Sequence, residues 1–265
     1  MNAFPQLSSG AVAQFPFEGE VRFRTALNEL PDGSEISFND PDFEQRRWLL
    51  RFEELSEAEW QSLRDLFEVC EGRLKTFTLA APGANLLAWS EALTESVWTA
   101  AGGGSVSDGQ PDPLGGTAGS RLTAGGGALT VSQSLAIPAS YFYAGSAWAR
   151  TSAPGAQLEV NDAAGSSKAV PLDSDNQWRR YELRAEGLSA QEQVAVEISA
   201  PAGATVDVYG LQLEAQRAVS SYKKTGVRGG VFANARFDQD ELDETLTAVG
   251  RHSGVVRIVW APSQS

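Results

Sequence analysis

The side chains able to carry chemistry are few in this chain, and their spacing assembles no reaction centre. The one histidine, His252, lies in the Gly-flanked stretch Gly250–Arg251–His252–Ser253–Gly254 with no nucleophile motif beside it. A histidine-dependent triad therefore has little support. Neither a phosphate-cradling Gly-Lys-Ser/Thr loop nor a His-x-x-His metal pair is present. The one cysteine, Cys70, falls on the apolar side of a helical pattern and reads as a small buried hydrophobe. Asp238, Asp240, Glu241, Asp243 and Glu244 crowd one stretch. A solvated strand face is the first reading there, with a metal site or a subunit contact as alternatives. Two carboxylates of a glycosidase could hide in so acidic a chain, but no spacing marks them. The expectation is a protein that is not an enzyme, whose work is binding and assembly.

Binding of sugar asks for exposed aromatic faces beside polar side chains that orient hydroxyls. Tyr141, Tyr143, Trp148 and Trp178 are the candidates. Tyr141–Phe142–Tyr143 cannot all face inward from one strand, so at least one is expected at the surface or an interface. Trp148 and Trp178 begin or sit within strands, where a core role is the commoner one, and Trp98 is a core anchor. Asp108, Asp112, Asp162, Asp173, Asp175 and Asp207 are oxygen donors of the hardness calcium prefers, although none lies in a spaced calcium-loop motif. Surface solvation is the default for all six, and Asp173–Asp175 is the densest pair.

These residues must be positioned by a soluble, acidic chain. At 265 residues it is long enough for one large or two ordinary domains. A net charge of −13 excludes nucleic acid and disfavours anionic membrane surfaces, since both need clustered Lys and Arg. No apolar run approaches a membrane span, and no signal peptide is visible, so synthesis in the cytoplasm is expected.

In the first segment Val21, Phe23, Thr25 and Leu27 alternate with polar neighbours, which predicts a strand. Pro31–Asp32–Gly33–Ser34 supplies a turn. Ile36 and Phe38 predict a second strand, Asp40–Pro41 an interruption, and Arg47–Phe52 a third. Leu55–Ser56–Glu57–Ala58–Glu59–Trp60 carries a capping box and a hydrophobic staple. Trp60, Leu63, Phe67 and Cys70 recur at helical spacing, Gly72 is the expected stop, and Lys75–Leu79 alternates again. The segment reads β-β-β-α-β.

From Asn85 the texture changes to Gly, Ser, Thr and Ala. The clusters Gly102–Gly104, Gly115–Gly119 and Gly125–Gly127 are expected as loops between short strands. Candidate strands are Ala128–Gln133, Ala147–Arg150, Gln157–Val160, Trp178–Arg184, Gln193–Ser199 and Val206–Leu213, which argues for an antiparallel sandwich or jelly roll. After Thr225 the texture reverts. Val231–Phe237 and the stretch holding Leu242, Leu246 and Ala248 read as strands, and a hairpin loop leads to Val256, Ile258 and Trp260. The fold expected is mainly β: a discontinuous α+β domain of residues 1–84 plus 225–265, with an antiparallel sandwich inserted at 85–224. Ala84 and Thr225 should then lie close together.

The order of Arg46–Phe52, Leu55–Glu59, Leu63–Phe67, Glu71–Arg73 and Thr76–Leu79 resembles the N-terminal domain of distal tail, or tail-tip, proteins of long-tailed bacteriophages and gene transfer agents. Asn85–Leu87, Ser90, Trp98, Trp148–Arg150, Trp178–Tyr181, Tyr209–Ala215 and Ser220–Thr225 resemble the carbohydrate-binding-module-like jelly rolls that phage tail proteins carry. The first resemblance implies a ring, commonly a hexamer, joining the tail tube to the baseplate hub. The second implies contact with host-surface polysaccharide, and a structural calcium for which Asp173 and Asp175 are the candidates. Together they imply a component of a phage or phage-like particle. The alternative is a stand-alone lectin-like or glycan-processing protein without ring assembly.

Overall fold

In a computed structural model that describes residues 2–262, the chain is mainly β, with one helix and two antiparallel sheets. β1 (Glu18–Glu29) turns at Pro31–Gly33 into β2 (Glu35–Ser56). The turn closes through Leu30 N–H to Ser34 O at 2.7 Å and Gly33 N–H to Leu30 O at 2.9 Å. Asp40–Pro41 does not end a strand, contrary to expectation: β2 runs through it for 22 residues. Phe23 faces Glu44 and Thr25 faces Asn39, so residues 40–43 bulge against a single residue of β1. Proline lacks an N–H, and a bulge is where the ladder does not ask for one.

β2 runs straight into α1 (Glu57–Cys70). The expected capping box forms: Glu59 N–H reaches Ser56 Oγ at 3.4 Å, and Ser56 N–H reaches Glu59 Oε2 at 2.9 Å. Such a cap is worth about 1 kcal/mol. Trp60, Leu63, Leu66 and Cys70 turn inward. The left-handed stop begins one residue before Gly72, with Glu71 at φ +52° and Gly72 at +61°. β3 (Phe77–Ala80) follows and is wholly buried.

The stretch Ala80–Val231, with Gln6–Val12, forms one compact unit. Its strands are β4 (Thr99–Gln110), β5 (Gly119–Leu135), β6 (Tyr143–Thr151), β7 (Gln157–Asp162), β8 (Ser167–Pro171), β9 (Arg179–Ala185), β10 (Val194–Ala200) and β11 (Thr205–Glu214). They pair in the order β8-β7-β10-β5-β11-β6-β9, with β4 also on β5. The sheet folds over at β5, whose residues 129–135 pair with β10 and 120–123 with β11. Two layers result, closed around buried Val131, Val160, Val196 and Ile198 from one and Leu122, Ala147, Leu183 and Val208 from the other.

Gly102–Gly104 and Gly125–Gly127, expected as loops, lie inside β4 and β5 at this fold line. A Cβ at Gly102, where φ is +99°, would sit 2.0 Å from Ala128 O, and one at Gly104 would sit 2.3 Å from Thr123 O. Absence of a side chain is what lets both strands bend together without parting.

The unit's ends are hydrogen-bonded to each other. Ala81 N–H donates to Gly230 O at 2.7 Å and Gly230 N–H to Asn85 O at 2.8 Å. Thr225 N–H donates to Ser90 Oγ at 2.9 Å, and Thr225 Oγ1 to Leu87 O at 2.7 Å. Asn85 is buried and spends its whole amide here. Its Nδ2 donates to Leu211 O and Lys223 O, each at 3.0 Å, while Oδ1 accepts from Leu87 at 3.2 Å and Leu213 at 3.1 Å.

β12 (Val231–Phe237), β13 (Thr245–Ala248) and β14 (Arg251–Trp260) belong with the second unit, made of Ala13–Leu79, the chain from Phe232 and the first residues to Pro5. Its sheet runs β1-β2-β14-β12-β3, with β13 on β14. Trp48, Leu50 and Phe52 of β2, with Val256 and Ile258 of β14, are buried. The acidic stretch 238–244 is a loop, not the expected strand. Gln239 replaces ladder bonds there: its side chain donates to Val255 O at 3.2 Å and accepts from Arg257 N–H at 3.0 Å. No helix among the described residues is long and apolar enough to cross a membrane.

Candidate functional site

The aromatic candidates separate into different environments. Tyr143, in β6, is 1% exposed and donates its hydroxyl to Pro138 O at 2.5 Å, so it offers no face to a sugar. Tyr141 stacks on it with centroids 6.3 Å apart, and burial pushes both phenols well above the usual range. Phe142, between them, carries the Arg217 guanidinium 3.5 Å from its ring centroid. Trp148 is half-buried beneath Arg180 at 4.7 Å and beside Tyr209 and Tyr222, each at 5.7 Å. Trp178 is half-buried under Arg150, which stands 4.9 Å from its centroid. Guanidinium stacking thus already occupies part of both indole faces.

The aspartate pair does not fit calcium. Arg179 Nη1 lies 2.5 Å from Asp173 Oδ2, and its Nη2 bonds Asp175. A guanidinium stands where the shared cation would have to sit. The other aspartates serve the chain itself: Asp108 accepts from Leu93 N–H at 3.0 Å and Ser120 Oγ at 2.6 Å. Asp112 caps a turn from Leu114 N–H at 2.8 Å and Gly116 N–H at 3.0 Å. Asp162, accepting from Ser189 N–H and from its own turn, is held down at about 2. Among the described residues no three His, Cys, Asp or Glu gather as metal ligands do.

Asp207 belongs to a different cluster. β11 places it directly opposite Arg121 of β5 and Arg150 of β6. All three lie on the face turned away from the core, because Val206 and Val208 point inward and side chains alternate. Arg121 donates Nε to Oδ1 at 2.6 Å and Nη2 to Oδ2 at 3.0 Å. Arg150 donates Nε to Oδ2 at 2.9 Å, with Nη2 at 2.8 Å. Burial pushes the Asp207 carboxyl up, but the bonds from Arg121 and Arg150 outweigh it and hold the group below its usual range. Trp178, beneath Arg150, and the Tyr209–Trp148–Arg180 row complete the face. Asp207 was visible in the sequence only as one more oxygen donor. The outward positions of alternating strands could flag all three residues, but their pairing depends on register.

The other unit presents a hairpin. All twelve residues of β1 are exposed, and β1 is an edge strand. Phe23 and Leu27 are 63% and 62% exposed, and Phe38 of β2 is 53% exposed. Leu27 pairs with Ser37 and Ala26 with Phe38, so apolar side chains stand on both faces of the ribbon. His252 is the opposite case, buried on β14 between Glu57 and Glu244.

Fold and site define a mainly β protein that joins a sandwich unit to an α+β sheet unit bearing an exposed hairpin. No protein-family model matches the sequence, and no curated protein matches it. Several solved structures are similar. One is the enzymatically active domain of bacteriophage CBA120 tailspike protein 4, with 14% identity, a TM-score of 0.41, and coverage of 49% of this chain and 21% of that one. This chain thus spans about a fifth of the tailspike structure. TmCBM61 in complex with beta-1,4-galactotriose has 19% identity, a TM-score of 0.38, and coverage of 51% and 99%. The CBM22-1 xylan-binding domain of Paenibacillus barcinonensis Xyn10C has 20% identity, a TM-score of 0.40, and coverage of 51% and 96%.

Proposed function

We propose that the chain is a non-catalytic structural component of a phage-like tail tip. Copies associate in a ring that links the tail tube to the baseplate hub, and the sandwich unit contacts host-surface glycan. The observation that carries this reading is the β1–β2 hairpin. β1 pairs with β2 on one side only, so among the described residues its outer edge is unpaired along the whole strand, and Val21, Phe23, Leu27, Ile36 and Phe38 stand in water on both faces. Edge strands of this length and apolarity call for another strand. Fully burying one such side chain is worth roughly 1.5–3 kcal/mol. A second copy supplying a different surface gives a heterologous contact, and a heterologous contact closes into a ring when its rotation allows. The glycan half is supported by the outer face of β5, β11, β6 and β9, where half-buried tryptophans stand among arginines.

Mass photometry of the full chain tests assembly. The wild type should give one closed oligomer. A variant carrying Phe23→Ser, Leu27→Ser and Phe38→Ser should be monomeric with an unchanged far-UV circular dichroism spectrum, because those positions are exposed in the single chain. A wild type that stays monomeric at high concentration overturns the ring and leaves a stand-alone lectin-like protein.

A further inference from the structure

We propose that Arg121 and Arg150 form a carboxylate clamp that makes the sandwich face specific for acidic polysaccharide, that is, for chains carrying uronic-acid residues. The inference rests on the glycan-contact reading above and names its ligand class. Charge is the first argument. One aspartate between two arginines leaves one positive charge uncompensated, in a chain whose net charge is −13. A cross-strand ladder built for stability alone would need only one arginine per carboxylate, and a second one adds like-charge repulsion.

Geometry is the second. Each guanidinium spends Nε and Nη2 on Asp207, and neither Nη1 has a partner among the described residues. The Asp207 side chain is 5% exposed, against 38% for Arg121 and 26% for Arg150. The anchor is therefore buried while the free N–H groups reach solvent. Asp207 fixes both forks in advance, so a ligand does not have to order two long side chains. Paired N–H donors of this kind match a carboxylate, whereas a neutral hydroxyl would leave the charge unanswered.

The surroundings agree. Trp178 backs Arg150, whose guanidinium lies 4.9 Å from its ring centroid, and helps to hold that side chain in place. Arg180 adds a third guanidinium in the next row, bonded to Ser146 Oγ at 3.1 Å and Ser220 O at 2.7 Å, with its Nε buried and unpartnered. Asp173 and Asp175, in the loop before β9, are engaged by Arg179.

The test is affinity electrophoresis and titration calorimetry of the full chain. Probes are polygalacturonate, alginate and hyaluronan, the same polymers after carboxyl reduction, and neutral xylan and galactan. Binding to at least one uronate polymer and loss of it on carboxyl reduction are expected. Arg121→Gln and Arg150→Gln should each weaken it about tenfold or more, the scale of one charge-assisted hydrogen bond. Arg150→Lys, which keeps the charge but loses the fork, should also weaken it in a chain whose circular dichroism spectrum is unchanged. Binding to neutral or carboxyl-reduced polymers that is equally strong and indifferent to the arginine variants overturns the clamp while the glycan reading stands. Binding to none of the charged or neutral polymers by a folded chain overturns the glycan reading itself.

Discussion

His252 has an acceptor at each ring nitrogen, and that fixes its charge. Nδ1 lies 2.5 Å from Glu244 Oε1 and Nε2 lies 2.7 Å from Glu57 Oε2. A neutral imidazole has only one N–H, so one carboxylate would face a lone pair, whereas the imidazolium satisfies both. Arg64 also holds Glu244, at 2.6 Å, and the Trp60 indole lies parallel to the imidazole with centroids 6.2 Å apart. Burial lowers the His252 pKa, but the bonds to Glu244 and Glu57 outweigh it and raise the value above the ordinary range. The sign follows from linkage. A folded pKa above the unfolded value of about 6.5 gives stability that is complete below that pH and is lost as pH rises through the folded value. The wild-type melting temperature should therefore fall as pH rises above about 6.5. His252→Gln should melt lower at pH 6 and lose most of this slope. A variant whose pH profile matches the wild type would mean that the imidazole is not charged in the fold.

At the scale of elements, the glycine corners set what the sandwich tolerates. Gly102→Ala meets a left-handed backbone and a carbonyl oxygen 2.0 Å from the new carbon, while Gly126→Ala meets nothing within 4 Å. Urea denaturation should show the first losing about 3 kcal/mol or more and the second within about 1 kcal/mol of wild type. Equal effects would mean that β4 and β5 do not bend together there. This corner also marks the limit of the sequence as a guide. The capping box, the helix stripe and the alternation of β10 and β14 are local signals, and each was legible. β4, the first half of β5, and β8 have little periodicity of their own, because Gly, Ser and Ala carry almost no face preference. Their conformation comes from the strands they pair with. The candidate site divides in the same way. Tryptophans and aspartates could be named as residue types. The Arg121–Asp207 and Arg150–Asp207 contacts span 86 and 57 residues and exist only through strand register. Tyr143 could be named but not oriented, since nothing local says which of three neighbouring aromatics turns inward.

For the whole molecule, the two proposed contacts respond to salt with opposite signs. Each copy carries a net charge of −13, so bringing copies together in a ring works against like-charge repulsion. The hairpin contact itself is apolar and backbone-mediated, which salt does not screen. Raising NaCl from about 50 mM to about 500 mM shortens the screening length severalfold and removes repulsion, so self-association should strengthen. The arginine clamp works through an attraction that the same salt screens, and its partner polymer is densely anionic, so uronate binding should weaken over that range. Mass photometry and affinity electrophoresis on one preparation across one salt series measure both. Association that dissolves with added salt would place the contact in ion pairs instead of the hairpin's apolar faces. Uronate binding that ignores salt would remove the guanidinium pair as its source. Neither outcome can be produced by misfolding, because the same unsubstituted chain supplies both curves.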